Sequence, residues 1–320
     1  GGPVRKIAAA LLCVLWIGGV FNPAGSAWAA AEDGTASAVF LRMTAGARAQ
    51  AMGGAFTSVA DDANAVYWNP AGLVQVRRPE LSFSHTIDVQ DVKAEYLAVA
   101  YPIRRAGLFL GGSGLLVNMA DVDKIENSVV TGSQKVRFLT YSGSLAMPIL
   151  PVFAAGVTVK GINQTLGDFG GNGTAIDAGA LVRLMPTLTL GGVVANLGSK
   201  IDVGGGVQNT IPQIIRGGAS FRLTPRVLLA AEVEKPADAA LKLRGGAEWW
   251  ASEILALRGG YEKRDSLGSG AGLSLGIGFK SKFERPGAAG GEAIESALDY
   301  AYLSMGDLGT THRLSFGVKF

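Results

Sequence analysis

The chain has 320 residues, 46 of them glycine, with 17% charged residues and a net charge of +3 at neutral pH. That charge is too small to favour nucleic acid as a partner. After the N-terminal region no stretch is long and apolar enough for a membrane-spanning helix, yet the mean hydropathy is +0.28. High hydropathy without a spanning helix favours a membrane β-barrel, whose strands carry lipid-facing side chains at alternate positions.

Residues 1–29 are predicted to be a secretory signal peptide. Arg5 and Lys6 precede an apolar run over residues 7–20, and a small-x-small triplet follows at 27–29. This layout predicts export across the inner membrane, with cleavage near the end of the triplet. An uncleaved signal anchor is the alternative, which the short apolar run disfavours. The only cysteine lies in the apolar run, so the exported part is expected to hold neither a disulfide nor a Cys-ligated metal.

Residues 30–79 lack the strand period and are predicted to form a helical plug, or hatch, in the lumen. A barrel of about fourteen strands leaves a hole that must hold water or polypeptide, whereas eight strands fill their own interior. Ser58 and Asp61 form a helix-start pattern for a run that ends at Trp68, and the following proline biases Asn69 out of helical geometry. A compact helix-turn insert of this size fits a lumen.

Residues 80–320 are predicted to form an all-β domain, a transmembrane antiparallel β-barrel of about fourteen strands. Each segment has about nine to eleven residues, the length that crosses a bilayer at a tilt. Apolar and polar side chains alternate along the clearest segments, because successive side chains of a strand lie on opposite faces. A soluble β-sandwich is the alternative, but it would leave the outside polar. The predicted lipid-facing residues include Val227, Leu229, Ala231, Val233, Leu241, Leu243, Ala247, Trp249, Leu255, Leu257, Tyr261, Leu273, Leu275, Ile277 and Phe279, and the predicted lumen charges are Glu232, Lys242, Arg244, Glu248, Arg258 and Arg313, with Glu234 and Glu262 on the same inward faces.

The last nine residues, 312–320, are predicted to be the strand that closes the barrel. Leu314, Phe316 and Phe320 share one face, and Arg313 falls on the other. The free edge of such an apolar strand would promote aggregation in a soluble protein, but in a barrel it pairs with the first strand. Phe316 and Phe320 are the predicted barrel-closing signal.

The connections between strands alternate in length, which independently favours a barrel with short periplasmic turns and longer outer loops. One connection, over residues 280–295, is long where the strand count requires a short turn, so either it is an insertion or the count is wrong by one hairpin. The predicted short turns are at 102–105, 147–151, 185–187 and 223–226, and the predicted longer loops are at 118–133, 165–173 and 198–210.

Three stretches carry a resemblance to a known family. GARAQAMGGAF at 46–56, DDANAVYWNPAGL at 61–73 and the ending LDYAYLSMGDLGTTHRLSFGVKF at 298–320 resemble the PorV/PorQ family, within the wider FadL-like group of outer-membrane proteins. The triplet at 69–71 resembles the NPA motif of FadL-type hatch segments. The resemblance implies a fourteen-stranded barrel with an N-terminal hatch.

The resemblance and the residues together define a predicted plug motif. Its paired glycines permit backbone conformations or close wall contacts that are denied to other residues. Its charged residues are expected to pair with lumen charges, because an unpaired charge beside a low-dielectric wall is costly. These residues either only anchor the plug or also take part in gating and ligand contact. The motif consists of Gly46, Arg48, Met52, Gly53, Gly54, Asp61, Asp62, Asn69, Pro70, Ala71 and Gly72.

No enzyme is expected from this sequence. His85 and His312 fall on the first and last strands, close to Ser84 and Ser315, but no carboxylate or carboxamide is spaced along the sequence to orient either imidazole. The glycine clusters lack the lysine and the strand-to-helix context of a phosphate cradle. No cofactor and no metal are expected.

Three functions remain open. In one, resembling FadL, the barrel carries hydrophobic small molecules through the outer membrane; in another, resembling PorV, it receives exported proteins for type IX secretion. The third is a structural barrel that never opens. The mostly short, polar loops weaken the first reading, since FadL-type uptake needs an apolar capture groove on the outer face. The predicted location is the bacterial outer membrane, with membrane lipid as a partner and either hydrophobic small molecules or secretion proteins as another.

Overall fold

The computed structural model describes residues 39–119, 122–126, 129–167, 169–198, 200–202, 208–263, 270–284 and 293–320. The predicted signal peptide, residues 1–29, and the first residues of the predicted plug lie outside this part. No helix in the described part of the chain is long and apolar enough to cross a membrane.

Fourteen antiparallel strands form a closed barrel, and each strand pairs with its neighbours in sequence. The last strand pairs with the first, Phe316 lying opposite Phe83, which closes the sheet and leaves no free edge. The predicted all-β barrel and its strand count are confirmed. The strands are β1 Glu80–Ile87, β2 Lys93–Ile103, β3 Leu108–Asn118, β4 Val136–Leu150, β5 Phe153–Leu166, β6 Phe169–Met185, β7 Leu188–Gly198, β8 Ile214–Thr224, β9 Val227–Pro236, β10 Lys242–Trp250, β11 Leu255–Glu262, β12 Leu273–Glu284, β13 Ala293–Ser304 and β14 Thr310–Lys319.

Side chains alternate between an exposed apolar outer surface and a buried polar interior. In β14, Leu314 and Phe316 are 49% and 48% exposed, whereas Arg313 and Ser315 are buried. The same alternation holds along β9, β10 and β11. This is the inverse of a soluble protein, in which the apolar face would be buried. Exposed apolar residues of the outer surface include Leu81, Leu97, Val99, Leu139, Val159, Ile215, Leu229, Val233, Leu243, Trp249, Leu257, Tyr261, Leu275, Phe279 and Leu298.

Three neighbouring strands are longer than predicted: β4, β5 and β6 have 15, 14 and 17 residues. The predicted loop at 165–173 is therefore wrong, because β5 and β6 stay paired out to Leu166 and Phe169. The glycines of this stretch gave no strand signal, since they have no side chain to alternate. In the folded chain the glycines at the start of β6 pair with residues of β5 in the sheet. Between them, Asn163 Nδ2 donates to Asn172 Oδ1 at 2.7 Å.

The connections otherwise alternate as predicted, with two additions. The predicted loop at 118–133 contains the hairpin of Val122–Glu126 with Val129–Gln134, and the loop at 198–210 contains the pair Ile201–Asp202 with Gln208–Asn209. The predicted insertion at 280–295 is shorter than expected, because β12 and β13 pair out to Glu284 opposite Ala293. Its remaining residues, 285–292, lie outside the described part, and no extra hairpin is needed for the strand count.

The described N-terminal segment, residues 39–79, holds two short α-helices, α1 Ala47–Ala51 and α2 Ala65–Trp68, and two 3₁₀ turns, Val39–Arg42 and Pro70–Gln75. The predicted helix over 59–68 is wrong in its start. The carboxylate of Asp62 accepts the backbone N–H of Asn64 at 2.9 Å, which closes a local turn and delays the helix to α2. The extended conformation predicted before Pro70 is confirmed, since Asn69 has φ −163°.

Candidate functional site

The N-terminal segment packs against inward-facing glycines on seven barrel strands. A Cβ added at any of them would lie under 3.0 Å from an atom of the segment. A side chain at these positions would therefore push the segment away from the wall. The wall glycines and the residues that they accommodate are Gly111 with Val66, Gly156 with Pro70 and Ala71, Gly179 with Asn69, Gly191 with Thr57 and Ser58, Gly246 with Met52, Gly260 with Met52 and Gly53, and Gly276 with Ala51.

Arg48 in α1 ties the segment to β10. Its Nε and Nη2 donate to the two carboxylate oxygens of Glu248 at 2.7 and 3.0 Å. Its Nη1 lies 2.5 Å from Asp61 and 3.4 Å from Asp62. Glu248 also accepts Arg258 Nε at 2.8 Å. We call these five residues the Arg48 network. Arg48 therefore pairs with a lumen charge through a bidentate, charge-assisted contact, the strongest kind of side-chain hydrogen bonding. The ion pairs of Asp61 and Asp62, which were predicted to involve lumen charges as well, are instead with Arg48 of the segment itself.

A second network lies in the wall around Arg244, which is buried. Arg244 Nη1 donates to Glu232 at 3.0 Å and to Glu234 at 2.8 Å, and its Nε donates to Glu262 at 2.8 Å. The other oxygen of Glu232 accepts the backbone N–H groups of Phe56 and Thr57 at 3.1 and 2.8 Å. Lys242 adds longer ion pairs of 3.7 and 3.6 Å to Glu234 and Glu262. The wall charges therefore also satisfy backbone donors of the segment, which would be costly to bury unpaired.

Arg313 of β14 anchors the beginning of the segment. Its Nε donates to Thr86 at 2.7 Å and its Nη1 to Thr44 at 2.6 Å. Beside it, the backbone N–H of Ala47 donates to Ser315 Oγ at 2.7 Å. Arg313 was predicted to face the lumen, and the structure buries it there.

The NPA triplet, residues 69–71, joins the segment to β6. Asn69 is fully buried; its Nδ2 donates to the carbonyls of Thr57 and Ala180 at 2.9 and 3.0 Å. Its Oδ1 accepts the backbone N–H of Ala71 at 3.1 Å, which caps the 3₁₀ turn that begins at Pro70. One side chain thus closes the turn, joins two parts of the segment and holds them to the wall.

The glycines of the plug motif occupy positions where the backbone angle or a close contact would strain any other residue. Gly53 has φ +65° and lies against the backbone of Tyr261, and Gly54 has φ +77° beside Arg244. Gly46, at φ +81°, begins α1. Gly72 lies against the carbonyl of Ala60, where a Cβ would clash. Met52 is fully buried in the core of the segment. Seven residues of the plug motif lie against wall residues, namely Arg48, Met52, Gly53, Gly54, Asn69, Pro70 and Ala71, whereas the contacts of Gly46, Asp61, Asp62 and Gly72 described above are within the segment.

Burial alters the titration of two side chains in the segment. Desolvation raises the pKa of Asp62 above its ordinary value of 3.8, although Arg48 opposes the shift. Desolvation also raises the pKa of the Tyr67 hydroxyl to about 12.

Several contact residues were not found from the sequence. Arg216 lies over the rings of Tyr67 and Trp68, with its Cζ 5.5 and 5.4 Å from the centroids. Lys160 of β5 lies 2.6 Å from Asp177 of β6 and both are buried. The alternation of β8 and β5 would have indicated their inward direction, but these earlier strands have more glycine and a weaker pattern.

A small cavity lies between the segment and strands β2 to β5. Its volume is about 20 Å³, enough for roughly one water molecule. Apolar and aromatic side chains from both sides line it, namely Leu41, Val66 and Tyr67 from the segment and Tyr96 and Leu115 from the wall, together with Ser113, Thr140, Ser142 and Lys160.

The two histidines lie on the outer face, away from the serines beside them in sequence. His85 Nδ1 lies 2.7 Å from Glu95 of β2, and His312 Nδ1 lies 2.7 Å from the Tyr300 hydroxyl. The expectation that no carboxylate orients an imidazole is therefore wrong for His85, because its partner comes from the neighbouring strand and not from nearby in sequence. Ser84 and Ser315 are buried on the inward face, so neither hydroxyl can meet an imidazole from its own strand.

Sequence comparison relates part of the chain to an uncharacterised protein family. The profile of the family UPF0164 matches residues 22–161. A UPF0164 protein of Treponema pallidum (strain Nichols) is 33% identical over 95 residues, which are 28% of this chain and 29% of the relative. The chain thus matches less than a third of the length of that relative. Membership of the PorV/PorQ family stays a prediction.

Comparison with solved structures identifies the fold. The toluene transporter TbuX of Ralstonia pickettii superposes with a TM-score of 0.58 and 14% identity, covering 88% of this chain and 98% of TbuX. The toluene transporter TodX of Pseudomonas putida gives 0.56 and 12%, covering 86% of this chain and 96% of TodX. At such low identity the similarity extends to the fold and not to the substrate.

Proposed function

We propose that this protein is an outer-membrane channel for small hydrophobic molecules, closed at rest by its N-terminal segment as a plug. The belt of exposed apolar side chains around the barrel suits lipid, and closed barrels are the only sheets that satisfy their backbone within a bilayer. The fold shared with two proteins named as toluene transporters supports a transport role of this type.

The observation that carries the proposal is the fit between the segment and the wall. Seven inward glycines, the Arg48 network, Glu232 and Asn69 all hold the segment across the interior. The interface also has an apolar part, because Val66 and Leu73 of the segment belong to one buried apolar cluster with Leu115 and Val117 of β3. Water can satisfy the donors and acceptors of the polar contacts when the segment shifts, whereas the apolar cluster favours the closed state.

The small cavity beside Tyr67 is the proposed starting point for a ligand. Its lining is apolar and aromatic on most sides, as small-molecule sites are. A volume of about 20 Å³ is far below the several hundred Å³ typical of such sites. A molecule with the size of a benzene ring therefore enters only when the segment moves away from β2 to β5.

Two measurements on the purified full chain test this function. The first is the conductance of planar bilayers, in which the intact protein is expected to give a low conductance and a variant lacking residues 39–76 a pore. The second is uptake of a small apolar fluorophore by proteoliposomes, which the intact protein should accelerate over protein-free liposomes. Unchanged low conductance on deletion would refute the plug, and uptake equal to that of empty liposomes would refute the transport.

The filled interior favours one second candidate, a PorV-like role in which the closed barrel receives exported proteins at the outer membrane. In the described residues the cavity between the wall and the segment beside Tyr67 holds about 20 Å³, and a docking function would need no opening. Native protein extracted in mild detergent distinguishes the two candidates by what co-purifies with it. Stoichiometric hydrophobic molecules support the channel, whereas secreted proteins that share a common C-terminal domain support the secretion role.

A further inference from the structure

A second, larger cavity opens at the end of the barrel where β1 begins and β14 ends. Its volume is about 620 Å³, within the range of small-molecule sites. The ends of β10 and β12 and the turns beside them line it. The lining residues that matter here are Arg226, Trp250, Glu253, Ile254, Lys280 and Lys282.

Positive charge exceeds negative charge at this cavity. Three cations converge on the single carboxylate of Glu295: Arg78 at 3.0 Å, Lys280 at 3.4 Å and Lys282 at 3.6 Å. The lining itself adds the cation Arg226 and the carboxylate Glu253, so among the described residues two carboxylates face four cations. The side chain of Lys282 is 66% exposed, so its amine can turn from Glu295 toward a second anion at little cost. The cavity mouth therefore attracts a small anion.

Trp250 gives the same cavity an aromatic floor. Alternation along β10 directs Trp250 inward, whereas its neighbour Trp249 is 51% exposed on the outer surface. Lys280 Nζ lies 5.8 Å and Arg258 Cζ 6.0 Å from the centroid of the Trp250 ring. An indole flanked by cations provides a flat apolar surface on which a planar ring can pack, with its charged substituent near the amines.

We propose that this cavity is a binding site for a small aromatic carboxylate. The carboxylate accepts hydrogen bonds from Lys280 and Lys282, and the ring packs on Trp250 and Ile254. The site goes beyond the proposed channel, because it lies apart from the cavity beside Tyr67 and requires no movement of the plug. An uncharged aromatic molecule cannot form ion pairs with the two amines. An inorganic anion has no ring to pack on Trp250.

Calorimetric titration of the full chain in detergent tests the site with three probes: benzoate, benzyl alcohol as its neutral counterpart, and inorganic phosphate as an anion without a ring. We expect saturable binding of one benzoate, at least tenfold tighter than either other probe and weakened by added salt. The double variant K280Q/K282Q should lose tenfold or more in benzoate affinity. Lys93→Gln, an exposed lysine at the other end of the barrel, is the matched control and should lose nothing.

The adjacent tryptophans provide the second matched pair. Trp250→Leu should weaken benzoate binding and leave phosphate binding unchanged, whereas Trp249→Leu should alter neither. Equal affinity for benzoate and benzyl alcohol, phosphate binding as tight as benzoate, no saturable benzoate binding, or full affinity in K280Q/K282Q would each overturn the proposal. Uptake of an apolar probe, measured on the same preparations, tests the channel independently of this site. If benzoate binding is lost and uptake is unchanged, the binding site is affected and the channel is not.

Discussion

Arg48 of the N-terminal segment and Glu248 of the barrel wall are joined by two parallel hydrogen bonds of 2.7 and 3.0 Å, 200 positions apart in the sequence. Glu248 is buried, and Arg258 is its second cation. The pair connects the two parts of the chain whose relative movement the proposed function requires. We therefore expect the proposed function to be most sensitive to substitutions at this contact.

Glu248→Gln is expected to loosen the plug. An amide cannot accept both guanidinium groups as a carboxylate does, and breaking a buried ion pair from one side costs about 3–5 kcal/mol. We expect frequent opening events in planar bilayers, where the intact chain is mostly closed. Glu253→Gln, in an exposed turn away from the segment, is the control and should behave as the intact chain. If Glu248→Gln opens no more often than the intact chain in planar bilayers, this pair does not hold the plug.

Adding a single methyl group to a glycine of the wall is expected to lower the free energy of unfolding only where the N-terminal segment lies against that glycine. Gly260→Ala places a Cβ against Met52 and Gly53, whereas Gly192→Ala meets nothing within 4 Å. Overpacking costs about 1–3 kcal/mol, so Gly260→Ala should lower the free energy of unfolding in urea by about that amount. Gly192→Ala should stay within about 0.5 kcal/mol of the intact chain. Equal effects at the two positions would contradict the close contact.

Asn69→Ala should release the segment locally. It removes the two hydrogen bonds to Thr57 and Ala180, and buried carbonyls left without donors cost about 1–3 kcal/mol each. Hydrogen–deuterium exchange over residues 66–73 should become at least tenfold faster. Asn163→Ala, which removes an exposed hydrogen bond between asparagines of β5 and β6, should leave that exchange unchanged. Protected amides in Asn69→Ala would argue that the triplet is not an anchor.

The buried carboxyl group of Asp62 is expected to make the free energy of unfolding depend on pH. Because burial raises its pKa above the ordinary 3.8, the protonated form favours the folded state. The resulting stability is fully present below pH 3.8 and is lost as the pH rises through the raised value. Asp62→Asn cannot titrate, so its free energy of unfolding relative to the intact chain should increase between pH 3.5 and pH 7. A constant difference across that range would mean that Asp62 is not desolvated.

The sequence predicted the barrel better than the fold of the N-terminal segment, for a physical reason. Strand alternation has a period of two that is independent of distant contacts, so the inward direction of Arg244, Glu248 and Arg313 followed from neighbours alone. Strand ends were less predictable where glycines carry no period, as in β5 and β6. The start of α2 was missed because the carboxylate of Asp62 competes with the helix for a backbone N–H.

The wall contacts of the N-terminal segment could not be found in the same way. Gly179 and Gly260 face Asn69 and Gly53 only because the closed barrel brings those strands to the level of the segment. Arg216 stacks on Tyr67 and Trp68 for the same reason. The motif at 46–72 was recognisable as a group, but which wall residue each member contacts depends on the register of fourteen strands.

In the proposed channel a molecule passes only when the N-terminal segment moves, and a reversible cross-link between the segment and the wall tests this movement. Ser58 Oγ lies 3.5 Å from the position of a Cβ at Gly218, close to the geometry of a disulfide. The double variant S58C/G218C should block uptake of an apolar fluorophore by proteoliposomes when oxidised and restore it on reduction, while each single variant is insensitive to redox. Equal uptake by the oxidised and reduced double variant, with the disulfide verified by mass spectrometry, would contradict a mobile plug.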